Sequence, residues 1–123
     1  RGQSLLLDAA ANDFSLSVRR AAARGLGNLR WSDIPKASRA GAMERSQTVL
    51  LQVTKDEEWV VRYAAVVGLE TLALQLTETV AIIQCLSQLR DQDDTPAVQA
   101  RAQWALEKLN ARINNKIKQQ ANS

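Results

Sequence analysis

The chain has no histidine, which excludes every imidazole-based mechanism: a Ser-His-Asp triad, a His metal cluster and a His proton shuttle. Its single cysteine, Cys85, rules out an intramolecular disulfide, as suits a reducing compartment. No apolar run reaches the roughly eighteen residues that a membrane helix needs, and no charged-then-apolar signal peptide opens the sequence. The expectation is a cytoplasmic protein without a membrane span. The sequence opens at Arg1 rather than methionine and inside a helical pattern, which predicts a piece of something longer. What is present is an ordinary globular composition, 123 residues with 46% apolar and 24% charged side chains. A chain of this size forms one domain and buries roughly two-thirds of its unfolded surface, so it needs no metal or disulfide staple.

Charge is unevenly spread. Lys108, Arg112, Lys116 and Lys118 stand against Glu107 alone, so residues 107–123 hold the whole net excess of +3. Within the balanced remainder, residues 1–45 carry 8 basic and 4 acidic groups and residues 46–106 carry 4 and 8. A nucleic-acid groove wants a continuous basic stripe. Asp56, Glu57, Glu58, Asp91, Asp93 and Asp94 interrupt one, and no nucleic-acid partner is expected.

Internal repetition is the strongest signal. A shift of 43 residues lays Asp13, Val18, Arg19, Ala21, Ala22, Gly25, Leu26 and Leu29 onto Asp56, Val61, Arg62, Ala64, Ala65, Gly68, Leu69 and Leu72. A further shift of 37 reaches Asp93, Val98, Ala102, Leu106 and Leu109, with Gln99 in place of the arginine and Ala105 in place of the glycine. Periods of this length with two helical segments each indicate HEAT-type solenoids, whose helix pairs bury their apolar faces against neighbouring pairs. The expected fold is all-α, a right-handed α-solenoid of about three HEAT-like helix pairs at residues 3–30, 43–73 and 77–109, followed by a helix extension and a disordered tail at 110–123. Outer helices are placed at Ser4 to Ala11, Met43 to Thr54 and Thr77 to Leu89, the last apolar on more than one face as if sandwiched. Small residues at 64, 65 and 68 predict a close approach by the next helix. Thr95-Pro96 reads as a helix start, with threonine capping and proline in the first turn. The connector from Asn28 to Ala42 holds Trp31, Arg30, Lys36 and Arg39, and reads either as a partner contact or as an idle insertion.

At Asp56-Glu57-Glu58-Trp59-Val60-Val61-Arg62-Tyr63-Ala64-Ala65-Val66-Val67-Gly68-Leu69 the chain resembles the HEAT-like repeat of phycobilin lyases of the E/F type. The stretch from Asn12 to Trp31, with its Arg19-Arg20-Ala21-Ala22-Ala23-Arg24-Gly25-Leu26-Gly27 block, resembles the F-type subunit more specifically. The resemblance spans residues 4 to 109. It implies the C-terminal part of one subunit of an E/F heterodimer that attaches an open-chain tetrapyrrole, usually phycocyanobilin, through a thioether to a cysteine of the phycocyanin alpha subunit. Phycocyanobilin would be a substrate, and no cofactor is implied. Isomerising relatives carry a motif with histidine and cysteine, so the missing histidine argues against isomerase activity.

A tetrapyrrole asks for cations at its two propionates, an aromatic or apolar wall for its rings and acceptors for its pyrrole nitrogens. Inner-helix positions facing away from the packed stripe are Arg20 and Arg24, then Tyr63 and Val67, then Ala100 and Trp104. The bilin-binding candidates are Arg20, Arg24, Tyr63 and Trp104, with Arg62 and Trp59 beside them. The same side chains also fit a merely solvated inner face. Arg19 and Arg62, each six residues after an aspartate, read first as a ladder joining repeats, and Trp59 reads first as packing at a helix entry. Cys85 reads as a buried, inert thiol. No carboxylate is singled out as a catalytic acid. The competing functions are a HEAT adaptor for phycobilisome assembly or turnover and a nucleic-acid solenoid with residues 19–39 and the tail as one basic track.

Overall fold

In a computed structural model, residues 2–13 and 15–122 are described. Among these residues six α-helices follow in order: α1 (Gly2–Asn12), α2 (Leu16–Gly27), α3 (Lys36–Val53), α4 (Trp59–Ala73), α5 (Val80–Gln92) and α6 (Pro96–Ala121), with a 3-10 turn at Trp31–Asp33. The pairs α1–α2, α3–α4 and α5–α6 stack in register. Helices α2, α4 and α6 touch in sequence to make an inner layer, and α1, α3 and α5 do the same outside it. The all-α solenoid follows from the repeat as expected.

The core lies between the layers. Inner helices contribute small side chains next to large ones, Ala22, Ala23 and Leu26 on α2 and Ala64, Ala65 and Leu69 on α4, all buried. Close approach is most extreme between α2 and α4. A Cβ on Gly27 would stand 2.5 Å from the Gly68 carbonyl oxygen, and one on Gly68 would stand 2.7 Å from that of Ala23. Only glycine at both places lets these backbones touch.

Each inner helix begins in the same way. The Oδ1 of Asp13, Asp56 and Asp93 accepts from the amide two residues on, at Ser15, Glu58 and Thr95, over 2.8 to 2.9 Å. That turn leaves the other face of the carboxylate for the preceding repeat. Arg19 sends Nε and Nη2 to Asp56 at 3.0 and 3.3 Å. Arg62 does the same to Asp93 at 2.9 and 3.2 Å and also reaches Asp94 and Thr95. Bidentate pairs of this kind fix the register between repeats. Gln99 stands where the third arginine would, so the ladder ends there. At the other end, Arg19 Nη1 donates to the Asp13 backbone carbonyl but no ion pair among the described residues reaches the Asp13 carboxylate, and Leu5, Leu16 and Val18 of the first repeat are exposed.

Several local expectations change. Helix α3 starts at Lys36, not Met43, because Pro35 presets the backbone entering the helix. The connector is therefore short. Trp31 is buried in it, and Arg39 donates to the Ile34 carbonyl at 3.1 Å, so the segment packs rather than standing out as a contact loop. Thr95 does not cap α6 with its hydroxyl; that group donates to Asp94 and accepts from Arg62, while Pro96 does occupy the first turn. Helix α5 is not sandwiched: Ile82 and Leu86 are buried and Val80 is exposed. The expected disordered tail is instead helical through Ala121; Ser123 lies outside the described residues.

Candidate functional site

Arg20 and Arg24 lie four residues apart on α2 and so share a face, with their Cβ atoms roughly 6 Å apart. Both are exposed. Trp59 and Tyr63 are spaced identically on α4 and meet edge to face, with ring centroids 6.4 Å apart and planes at 84°. The contact between α2 and α4 brings the two pairs to one open groove of about 390 Å³, floored by Val60, Ala64 and Ala97. That volume is within the usual range for small-molecule sites. No carboxylate among the described residues pairs with either arginine. The groove thus offers two free guanidiniums on one wall and two perpendicular rings on the other. It suits a flat, conjugated dianion: ion pairs hold the carboxylates while Tyr63 supplies an apolar edge and a phenolic hydrogen-bonding group.

Arg62 does not join them. Its guanidinium turns into the ladder, where Asp93, Asp94, Thr95 and the Asp56 carbonyl use its donors. Trp59, read first as packing, is 44% exposed and forms part of the groove wall. Trp104 is exposed farther along α6, outside the groove lining. The Arg101 guanidinium lies 4.5 Å from its ring centre and the Lys108 ammonium 5.5 Å. Both cations also reach the buried Glu70 carboxylate, at 2.6 and 3.1 Å. A buried carboxylate is tolerable only with such pairing. Sequence reasoning passes over Arg101 and reads Lys108 only as part of the basic tail, although Arg101, Trp104 and Lys108 recur at helical spacing. Glu70 gave no signal, since its burial depends on where α6 crosses α4.

Cys85 belongs to the outer layer, in a groove between α3 and α5 beside Thr54 and Lys55. Burial pushes its thiol up, outweighing the Thr54 contact at 3.5 Å and the nearby Lys55 charge. A thiol held this way is a poor nucleophile at neutral pH. Iodoacetamide should alkylate Cys85 several-fold more slowly than free cysteine at pH 8, with the rate rising only above the ordinary thiol range. A rate equal to that of free cysteine, followed by mass spectrometry, would contradict the assignment. Among the described residues no group of three or more His, Cys, Asp or Glu side chains could hold a metal ion.

The family model described as HEAT repeats matches residues 4–107. The chain is 46% identical over 111 residues to a phycobilisome maturation protein of Synechococcus elongatus, covering 89% of this chain and 54% of the relative. It is 42% identical over 110 residues to the phycocyanin alpha phycocyanobilin lyase CpcF of Synechocystis sp., covering 89% and 51%. Among solved structures it superposes on a chain in the complex of CpcE and CpcF of phycocyanin lyase from Nostoc sp. The TM-score is 0.82 at 41% identity, covering 85% of this chain and 62% of that one. The chain spans about half the length of the curated relatives it matches. With its helix pairs, its Asp–Arg ladder and a family match over nearly its whole length, the chain belongs to the HEAT-repeat family.

Proposed function

We propose that this chain is part of the F-type subunit of a heterodimeric phycobilin lyase: it binds an open-chain tetrapyrrole and helps attach it to a cysteine of the phycocyanin alpha subunit. The observation that carries this reading is the groove with Arg20 and Arg24 facing Trp59 and Tyr63. Similarity to lyase subunits from several cyanobacteria supports it. Attachment adds the acceptor thiol across a carbon–carbon double bond of the bilin side chain; a carbon–sulfur bond forms, the thiol proton ends on the bilin, and nothing is oxidised or reduced. The ionisable side chains of the groove are two arginines and a tyrosine. Arginine does not give up its proton near neutral pH, so the two arginines bind and orient rather than relay protons. Holding the bilin extended beside the acceptor thiolate makes addition effectively unimolecular, an advantage that can reach roughly 7 kcal/mol or more of the barrier.

Titration with phycocyanobilin, followed by visible absorbance, tests the reading. Changing Arg20 and Arg24 together to glutamine should weaken bilin binding about 100-fold, two charge-assisted pairs at about 1.5 kcal/mol each, and leave helicity unchanged. With the E-type partner and the apo alpha subunit added, the wild-type pair should yield a covalent, red-absorbing adduct. Unchanged affinity in the double variant would place the bilin elsewhere. The similarity to a phycobilisome maturation protein favours one second reading, a non-catalytic adaptor for phycobilisome assembly or turnover. Binding to phycobiliprotein without bilin, and no adduct from the full-length pair, would decide for it.

A further inference from the structure

The inner layer ends in a surface that the rest of the fold leaves uncovered. Leu106 and Leu109 of α6 are buried in the last repeat, and the same seam continues through Ile113 and Ile117. These two are 38% and 57% exposed, although they stand at the 3–4 spacing that marks a helix-packing seam. Helix α5, which covers the first half of α6, has only 13 residues against the 26 of α6. Beyond it, α6 lies beside the turn that joins α4 to α5. Arg112 donates to the Leu74 carbonyl there, and a small groove of about 220 Å³ runs between Leu76, Thr77 and Thr79 on one side and Ile113 and Ile117 on the other. Leu74 and Val80 flanking that turn are exposed as well. Beyond Glu107 the charges on α6 are of one sign, Arg112, Lys116 and Lys118, while Glu78 in the facing turn accepts from the Val80 amide.

We infer that this overhang docks a helix of the partner subunit of the lyase, one with an apolar ridge flanked by acidic side chains. The inference rests on the heterodimeric reading proposed above. A seam continued at helical spacing takes a helix lying along it, and a groove of only about 220 Å³ admits a ridge of side chains rather than a small ligand. A segment of about a dozen residues with little cover is a marginal helix in water until something packs on it. Charge complementarity selects the occupant: a second copy would bring the same basic helix and repel, whereas an acidic-flanked helix is attracted.

The test measures assembly of this chain with the E-type subunit by titration calorimetry. Changing Ile113 and Ile117 together to aspartate should weaken the complex about 100-fold, as expected for central apolar anchors. Changing Lys116 and Lys118 together to glutamate should weaken it about tenfold and flatten its dependence on salt. All four positions are exposed, so helicity and bilin binding should match wild type. If both variants pair with wild-type affinity, the overhang is not the docking surface, while the lyase reading stands. If the wild-type chain neither binds bilin nor pairs, the lyase reading falls and the docking surface falls with it. A homodimer that the aspartate substitutions abolish would also overturn the assignment, giving the surface to a second copy.

Discussion

Gly27→Ala is expected to destabilise the chain by about 3 kcal/mol, at the upper end of the range for overpacking, and to lower the melting temperature by roughly 12 °C. The added methyl would meet the Gly68 carbonyl oxygen at 2.5 Å, its Cα at 2.6 Å and its carbonyl carbon at 2.9 Å. All three are backbone atoms, so no side chain can rotate away; α2 and α4 must separate until these become ordinary contacts beyond 3.4 Å. Gly41→Ala is the internal control. Its added Cβ meets only the end of the flexible Arg45 side chain, at 3.3 Å, so the usual helical gain of about 1 kcal/mol for alanine over glycine applies and stability should rise. The same chemical change thus has opposite signs in two helices of one chain. Thermal unfolding followed by circular dichroism measures both, and an unchanged midpoint for Gly27→Ala would mean that the two backbones do not touch. Because Arg20 and Arg24 ride on α2 and Trp59 and Tyr63 on α4, the variant should also loosen the groove and weaken bilin binding.

Arg62→Met should cost about 3 kcal/mol, the low end of the penalty for breaking a buried ion pair. Its side chain is 11% exposed and that of Asp93 only 4%. Methionine preserves most of the buried stem but leaves the Asp93 carboxyl group buried and without its bidentate partner. Arg62→Lys should recover less than half of the loss, since an ammonium cannot span Asp93, Asp94, Thr95 and the Asp56 carbonyl together. Changing Arg62 and Asp93 together to methionine and leucine separates the two causes. If stranding the carboxylate dominates, the double variant should be more stable than Arg62→Met alone. A double variant as unstable as the sum of its singles, read from urea unfolding, would show instead that lost contacts set the cost. At Arg19–Asp56, where both side chains are 12% exposed, the same logic holds with a smaller penalty.

The groove divides the candidate residues by a physical criterion. Arg20, Arg24 and Tyr63 were legible because one helix with one known buried stripe fixes which side chains point the other way. Trp59 was placed in packing because it stands at a helix entry, where the direction of a side chain depends on the preceding turn rather than on the helical period. Arg62 sits next to Tyr63, yet its length lets it reach forward to Asp93 of the following repeat, and the order Asp-then-Arg six residues later favours that ladder role. Trp104 had the right face on α6 but the wrong height: facing outward does not say how far along the solenoid a residue falls.

The sequence by itself determined the repeat, the helix pairs and the ladder, because each is a matter of spacing within or between copies of one local pattern; that the small residue Gly68 meets the preceding helix α2 rather than the next one is a tertiary fact. Only the tertiary structure decided what depends on helices meeting: that Glu70 is buried beneath Arg101 and Lys108, that Trp31 is covered, and that α6 outruns α5 to leave Ile113 and Ile117 bare. Burial is a property of two surfaces, and a periodic pattern on one helix specifies only its own.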